Sequence, residues 1–277
     1  MKKLHLTRFA AMATVALMGS TAAWAASGAN KEGSTLTLQS NASNPKVSIA
    51  ENEFTGIKKI VVERGTESAQ YSTLMLPVTV TPSESDQIVA AYFPTGYNPS
   101  TTTLDMQSAD NIQANKPYLV EVSGSPTKFE FNTASSYTVQ ATGDDEHSFT
   151  LSSSCWEFTG TYANKEWASA DNLYGYDSYD GVFVKALSAT IYPMRAYLTC
   201  NNSTSGGLGK VAAEVSLPDV INVRFLDKNG GTLSIGTMNT RTGDIQMQDR
   251  YYDLKGRKLN GKPQNKIMYV NKKVIKH

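Results

Sequence analysis

The sequence predicts an all-β protein, a β-sandwich or barrel-like main domain followed by a small C-terminal β unit. Three observations predict it. Short apolar runs recur at strand-plus-turn intervals, clusters of Gly, Pro, Asn, Asp and Ser separate them, and helical periodicity is poor. Ser, Thr, Asn and Tyr are plentiful, as half-buried strands require when they turn short side chains outward. Hydrophobic residues make up 40% of the chain and charged residues 18%, enough apolar material for a sizeable core.

The first segment is of another kind. Lys2, Lys3 and Arg8 make a basic start, Phe9 to Gly19 carries no charge, and small residues lead to Ala23-Trp24-Ala25. That order predicts a secretory signal peptide over residues 1–25, cut between Ala25 and Ala26, and a secreted or cell-surface address. Its uncharged core of 11 residues is far shorter than a membrane span, which needs roughly 20. The first cysteine is Cys155, so no lipid-bearing cysteine follows the cut.

Residues 26–45 are rich in Ser, Asn, Gly and Ala with only Leu36 and Leu38 to bury, and read as a flexible linker or at most one marginal strand. The main β domain is expected over 46–200. Its runs are Ile57 to Val62, Leu74 to Val80, Ile88 to Phe93, Tyr118 to Val122, Phe129 to Phe131, Tyr137 to Val139, Phe149 to Leu151, Trp156 to Tyr162, Val182 to Leu187 and Ala196 to Leu198. Pro77 inside one run points to a sheet edge or a bulge, because proline has no N–H for a ladder. Pro82-Ser83 supplies the one helix start worth considering, before Ile88. Trp156 and Phe158, two apart, share a buried face.

Residues 201–215, dominated at first by Asn, Ser, Thr and Gly, read as a second linker. A C-terminal unit is expected over 216–277. In it Ile221, Val223 and Phe225 alternate with polar neighbours, Asn229-Gly230-Gly231 turns the chain, and Leu233 and Ile235 alternate again, a strong hairpin signal. A further β pair is expected from Tyr251 to Leu259 and from Ile267 to Ile275.

Charge is uneven. Residues 250–277 hold nine basic groups against Asp253 alone, whereas the whole chain has 26 Lys and Arg against 25 Asp and Glu. An exported address argues against nucleic acid as the partner, and the apolar residues of the tail argue against a disordered arm.

Reactive groups are scarce. Cys155 and Cys200 are the only cysteines, and in an exported chain they form either one disulfide or two buried thiols. His147 is the one histidine between the leader and the terminal residue, and beside Asp144, Asp145 and Glu146 it reads as a solvated loop residue rather than a catalytic base. No zinc-ligand spacing and no phosphate-binding glycine loop is present, so no metal and no cofactor is expected.

Glu157, Glu166, Asp171, Asp177 and Asp180 are the candidate carboxylates for a glycosidase-type pair. Asp177-Ser178-Tyr179-Asp180-Gly181 and Asp227-Lys228-Asn229-Gly230 carry oxygen ligands at calcium-like spacing but read equally as turns. The aromatic-rich stretch 156–183 offers Trp167, Tyr174, Tyr176 and Tyr179 as candidate ligand-binding rings in a loop-like segment.

The tail carries the most recognisable residues. Tyr252-Asp253-Leu254-Lys255-Gly256-Arg257-Lys258-Leu259, then Tyr269-Val270-Asn271-Lys272-Lys273-Val274-Ile275-Lys276, resembles the C-terminal sorting domain of the type IX secretion system, found on secreted proteins of gut anaerobes. The family pattern continues Asn-Gly-Lys-Lys, and this chain has Lys272 in place of that Gly. The resemblance implies a small Ig-like β-sandwich that directs a folded passenger across the outer membrane, with Asp253, Leu254, Gly256, Arg257, Tyr269, Asn271 and Lys273 at the family's positions. Residues 73–77, 114–120, 158–162 and 193–198 look like a β module found near the ends of large surface proteins of the same bacteria, a resemblance that implies no enzymatic activity for this chain.

These readings lead to an exported, non-catalytic surface or adhesion-type β protein whose tail serves sorting or attachment. The alternative is a polysaccharide-binding, less readily a polysaccharide-cleaving, protein working through 156–183. The expected partners are secretion machinery, cell-surface components or polysaccharide, and the chain is not expected to be an integral membrane protein.

Overall fold

A computed structural model describes residues 28–41, 44–65, 70–151, 154–168, 172–178, 180–186, 188–200 and 217–234, together with the backbone of short strands up to residue 276. The expected leader over 1–25, the linker over 201–215 and the tail positions Asp253, Leu254, Gly256, Arg257 and Asn271 lie outside the described residues.

The protein is all-β. The first eight strands are β1 (Ala29–Glu32), β2 (Thr35–Gln39), β3 (Ile57–Glu63), β4 (Tyr71–Met75), β5 (Ile88–Asn98), β6 (Thr103–Ala109), β7 (Pro117–Val122) and β8 (Lys128–Tyr137). The next eight are β9 (Glu146–Thr150), β10 (Trp156–Thr161), β11 (Lys165–Ala168), β12 (Leu173–Asp177), β13 (Val182–Lys185), β14 (Ser188–Ile191), β15 (Arg195–Cys200) and β16 (Val220–Leu226). Six short strands follow: β17 (Thr232–Ser234), β18 (Gly236–Met238), β19 (Ile245–Met247), β20 (Tyr251–Tyr252), β21 (Ile267–Val270) and β22 (Lys273–Lys276). The helix start at Pro82 yields one 3-10 turn, Pro82–Glu84, in which the Glu84 carboxylate accepts the Thr81 N–H at 2.8 Å. The polar run Ser85-Asp86 then gives way to β5, so no longer helix forms.

Two sheets build the body. A four-stranded sheet runs β1-β2-β3-β8. A large curled sheet runs β4-β7-β5-β6-β16-β13-β12-β15-β10-β9, with β17 on β16. β4 is an edge strand that stops at Met75, just before Pro77, as the missing N–H of proline requires.

Sandwich and barrel coexist because β4 and β7 are buried on both faces. Side chains alternate along a strand. On β7, Tyr118, Val120 and Val122 enter a core shared with Leu36, Leu38, Ile60, Val62, Phe129 and Phe131 of the four-stranded sheet. Leu119 between them points the other way, into the interior of the curled sheet, where Leu104, Met106, Trp156, Phe158, Tyr174, Phe183, Leu198 and Ile221 meet. Trp156 meets Tyr174 edge-on at 5.0 Å and Phe158 meets Phe183 at 5.9 Å, a packing mode aromatic rings favour. Trp156 and Phe158 thus share the expected buried face.

The curled sheet bends back on itself where its end strand β4 meets the start of β15, the third strand from the opposite end. Met75 N–H donates to the Met194 carbonyl at 3.0 Å, and the Thr73 hydroxyl accepts the Ala196 N–H at 3.0 Å, joining β4 to the start of β15. At the other end Phe149 of β9 packs edge-on to Tyr118 of β7 at 6.3 Å and against Phe93 of β5 at 6.1 Å.

Two expected boundaries are corrected. Residues 29–39, inside the stretch expected as a linker, are strands: β1 and β2 form a hairpin, β2 adds to β3 in parallel, and Ala29, Leu36 and Leu38 sit in the first core. Few apolar residues sufficed because each one points inward and β3 supplies the rest of that surface. The C-terminal unit does not begin as a separate module at 216, nor does the main domain end at 200. β16 pairs in parallel with β6 and antiparallel with β13, and Ile221 and Phe225 complete the second core. The expected hairpin forms, with β17 returning onto β16 after Asp227–Gly231 and Gly230 at φ +79°.

Beyond it, β18 pairs with β19, and β20, β21 and β22 make a three-stranded sheet. The run expected as one strand from Ile267 to Ile275 is a hairpin, with Val270 opposite Lys273 and Tyr269 opposite Val274.

Candidate functional site

The two cysteines are joined. Cys155 and Cys200 form a disulfide with Cα atoms 4.8 Å apart. The register explains it: Trp156 faces Cys200 across the β10–β15 ladder, so Cys155 arrives one residue beyond the last pair.

The candidate aromatic residues do not form an exposed strip. Trp167 is on β11, only 6% exposed, against Leu173, Ile191 and Tyr197. Tyr174 is fully buried on the opposite face of β12, in the core of the curled sheet, and its hydroxyl donates to the Pro218 carbonyl at 2.7 Å. Burial pushes that hydroxyl's pKa up to about 12. Tyr176 is half-buried with its ring on Phe183 at 5.1 Å. Tyr179 lies outside the described residues. The segment expected to be loop-like folds into β11, β12 and β13, and such large rings gain more from burial there than exposed stacking would return.

A cleft of about 430 Å³ nevertheless lies beside Trp167. β12 pairs with β15 only at Leu173–Thr199 and Tyr174–Leu198, after which the strands diverge. Gly175, Tyr176 and Asp177 form one lip of the fork and Arg195 and Ala196 the other. Ser72 and Thr73 of the incoming β4 border it, and Trp167 with residues 189–192 completes the wall. Gly175 faces the indole: a Cβ there would lie 3.8 Å from the Trp167 ring, an ordinary van der Waals contact.

Arg195 is placed by Met194, which is buried with a φ of +61°, a conformation costly for a residue bearing a side chain. Three main-chain and side-chain bonds hold it there: its N–H donates to Thr161, and its carbonyl accepts from Met75 N–H and from the buried Arg64 guanidinium. The Arg195 guanidinium itself donates to the Arg64 carbonyl at 3.3 Å. None of Ser72, Thr73 and Arg195 stood out as site residues in the sequence. The fork that joins them depends on where two distant strands stop pairing, and no local pattern signals that.

Two of the candidate carboxylates, Glu157 and Glu166, line a second depression of about 480 Å³ with Glu146, Lys165 and Tyr197. Lys165 Nζ donates to the Glu146 carboxylate at 2.8 Å. Burial, reinforced by Glu146, holds the Tyr197 hydroxyl far above its ordinary pKa. Asp177 and Asp180 sit apart on the β12–β13 turn, and Asp171 lies outside the described residues.

The two calcium-like stretches are turns that use their own carboxylates. Asp177 Oδ1 accepts the Asp180 N–H at 3.2 Å, and Asp227 Oδ1 accepts the N–H groups of Asn229 and Gly231 at 2.8 Å each. Among the described residues no three His, Cys, Asp or Glu side chains converge on a metal position. His147 is not in a loop: it lies half-buried on β9, with Nε2 2.8 Å from the Thr142 carbonyl and its ring edge-on to Tyr162 at 5.8 Å.

Comparison of the chain with protein-family models, with curated proteins and with solved structures finds no match. No helix among the described residues is long and apolar enough to cross a membrane.

Proposed function

We propose that this chain is exported and serves at the cell surface as a non-catalytic binding or structural β protein, with its tail acting in sorting or attachment. The observation that carries the reading is the Cys155–Cys200 disulfide, which pins the end of the β10–β15 ladder and is a kind of bond found mainly in chains that fold in oxidising compartments. The leader over residues 1–25 and the basic tail, which resembles the type IX sorting domain, agree with that compartment. Secretion machinery or a surface component is the partner of the tail in this reading.

The test compares the full chain with one ending at residue 235 in a host that has the type IX route. That end point keeps β16 and β17, so the body stays intact. The full chain is expected at the surface, accessible to added protease, with Ala26 as its first residue. The shortened chain is expected to stop in the periplasm. Surface delivery of both chains rejects the role given to the tail, and an uncut leader with cytoplasmic retention rejects export altogether.

A further inference from the structure

The last strand of the curled sheet has an open edge. β9 pairs with β10 on one side, and no second strand pairs with it among the described residues. The opposite end strand differs, since β4 is bonded to Met194 and Ala196. Which groups of β9 face outward follows from its register. Leu151 N–H donates to the Trp156 carbonyl at 3.0 Å, and the Asp145 carbonyl accepts the Tyr162 N–H at 2.6 Å. In an antiparallel pair every second residue exchanges main-chain bonds with its opposite, so the odd-numbered residues bond toward β10. The N–H and C=O groups of Glu146, Ser148 and Thr150 point the other way, and all three residues are exposed.

Open edges are normally blunted by proline, a bulge or charge. β9 has no proline, its register with β10 runs unshifted from Glu146 to Thr150, and its one acid, Glu146, stands at the first position. A strand that fits this edge is β9 itself. With Ser148 opposite Ser148 of a second copy, Glu146 falls opposite Thr150 and His147 opposite Phe149, so no like charges meet. Charge favours the same arrangement. Asp144, Asp145 and Glu146 lie at the start of the segment, and with Lys46 on Asp145 and Lys165 on Glu146 that end stays net acidic through Asp144. Lys116 Nζ stands 5.5 Å over the Phe149 ring, toward the other end. Antiparallel pairing sets each copy's acidic end beside the other's lysine. We propose that two copies of this chain associate through β9, edge to edge and antiparallel about Ser148, which joins their two curled sheets into one. A contact that uses the same patch on both copies closes at two. The pairing goes beyond the surface role and is independent of the export route, since it is read on purified, oxidised protein.

The test is sedimentation velocity of the chain from Ala26 onward, tail included, over a hundredfold range of concentration. The wild type is expected to show a monomer–dimer equilibrium. Ser148→Pro removes an outward N–H and leaves the β9–β10 ladder its bonds, and is expected to weaken the dimer at least about tenfold. Ser148→Ala loses the same hydroxyl bond to Thr159 but keeps the N–H, and is expected to dimerise like the wild type. A second readout does not depend on how proline is tolerated. Ser148→Cys would bring two Cα atoms to about 5.5 Å across the two-fold axis, within disulfide range, whereas Thr150→Cys would not. Oxidation is expected to cross-link the first variant into a dimer on a denaturing gel and to leave the second as a monomer. A wild type that stays monomeric throughout, or a Ser148→Cys chain that does not cross-link, would overturn the assignment. So would a dimer that Ser148→Pro leaves intact; if that dimer is lost on removal of residues 236–277, the contact belongs to the basic tail instead.

Discussion

Arg224 and Asp105 meet side by side across the parallel junction of β16 and β6, with the Arg224 Nε and Nη2 groups each donating to a different Asp105 oxygen at 2.6 Å. The planar guanidinium matches the carboxylate at two points, a geometry that an ammonium group cannot copy. Arg224 is 38% exposed, so solvent screens the pair and its worth is about 1 kcal/mol. Arg224→Lys is expected to keep the charge yet lower unfolding free energy in urea by about 0.5–1 kcal/mol. An unchanged midpoint would show that the fork geometry contributes nothing.

Removing β16 has a far larger consequence. A chain ending at residue 215 loses Ile221 and Phe225 from the second core and strips β6 and β13 of a shared neighbour. It is expected to aggregate or to digest rapidly with protease, whereas a chain ending at 235 melts cooperatively. Circular dichroism melts of the two chains decide the point.

Reduction of the Cys155–Cys200 bond is expected to destabilise the body by about 2–4 kcal/mol, since the bridge closes a loop of 45 residues in the unfolded chain. Cys155→Ser with Cys200→Ser should reproduce that loss, and reductant should then have no further effect on the melting temperature.

Gly160 of β10 lies against Met75 of β4, where the curled sheet bends back on itself. A Cβ at 160 would stand 2.5 Å from the Met75 sulfur and 3.1 Å from its Cβ. Gly160→Ala is therefore expected to cost about 1–3 kcal/mol through overpacking. Trimming Met75 to Ala in the same chain should cost less than the two single losses added together, because the collision is gone. Additive losses in urea unfolding would place the two residues out of contact.

Glu130 sits between Lys128 at 2.5 Å and Lys59 at 2.9 Å, and their hydrogen bonds, Lys128 first, hold its carboxyl below the usual carboxylate pKa. A lowered folded pKa means the pairing stabilises fully above the unfolded value of about 4.5 and is lost as pH falls through the folded value beneath it. Both lysines are well exposed, so the effect is on the order of 0.5 kcal/mol. Glu130→Gln should flatten stability slightly on the acid side, and a pH series of thermal melts from 6 down to about 3 measures it.

The features written in local patterns were legible in the sequence. Alternation at Trp156 and Phe158 placed a buried face, Asn229-Gly230-Gly231 placed a hairpin, and Pro77 placed an edge. The misplaced features rest on pairings between distant segments. Leu36 and Leu38 looked too few to order residues 26–45, because their partners are more than twenty residues away on β3. Val220 to Leu226 resembled the start of a new unit, because its parallel register with Thr103 to Gln107 has no local signature. Trp167 and Tyr174 stood close in sequence, and the strands between them send one outward to a small satellite core and the other inward. The cleft follows from the same fork and was equally hidden.

The place of β16 also sets an order of events. Its parallel neighbour β6 precedes it by 119 residues at the Arg224–Asp105 pair, so a chain emerging amino terminus first presents β6 long before the strand that completes it. Both cysteines come out earlier than β16, which lets the bridge close while the sheet still lacks its keystone. The last part of the body to appear therefore works as a latch, and a nick anywhere between Cys200 and Val220 before assembly would leave a held but unfinished shell.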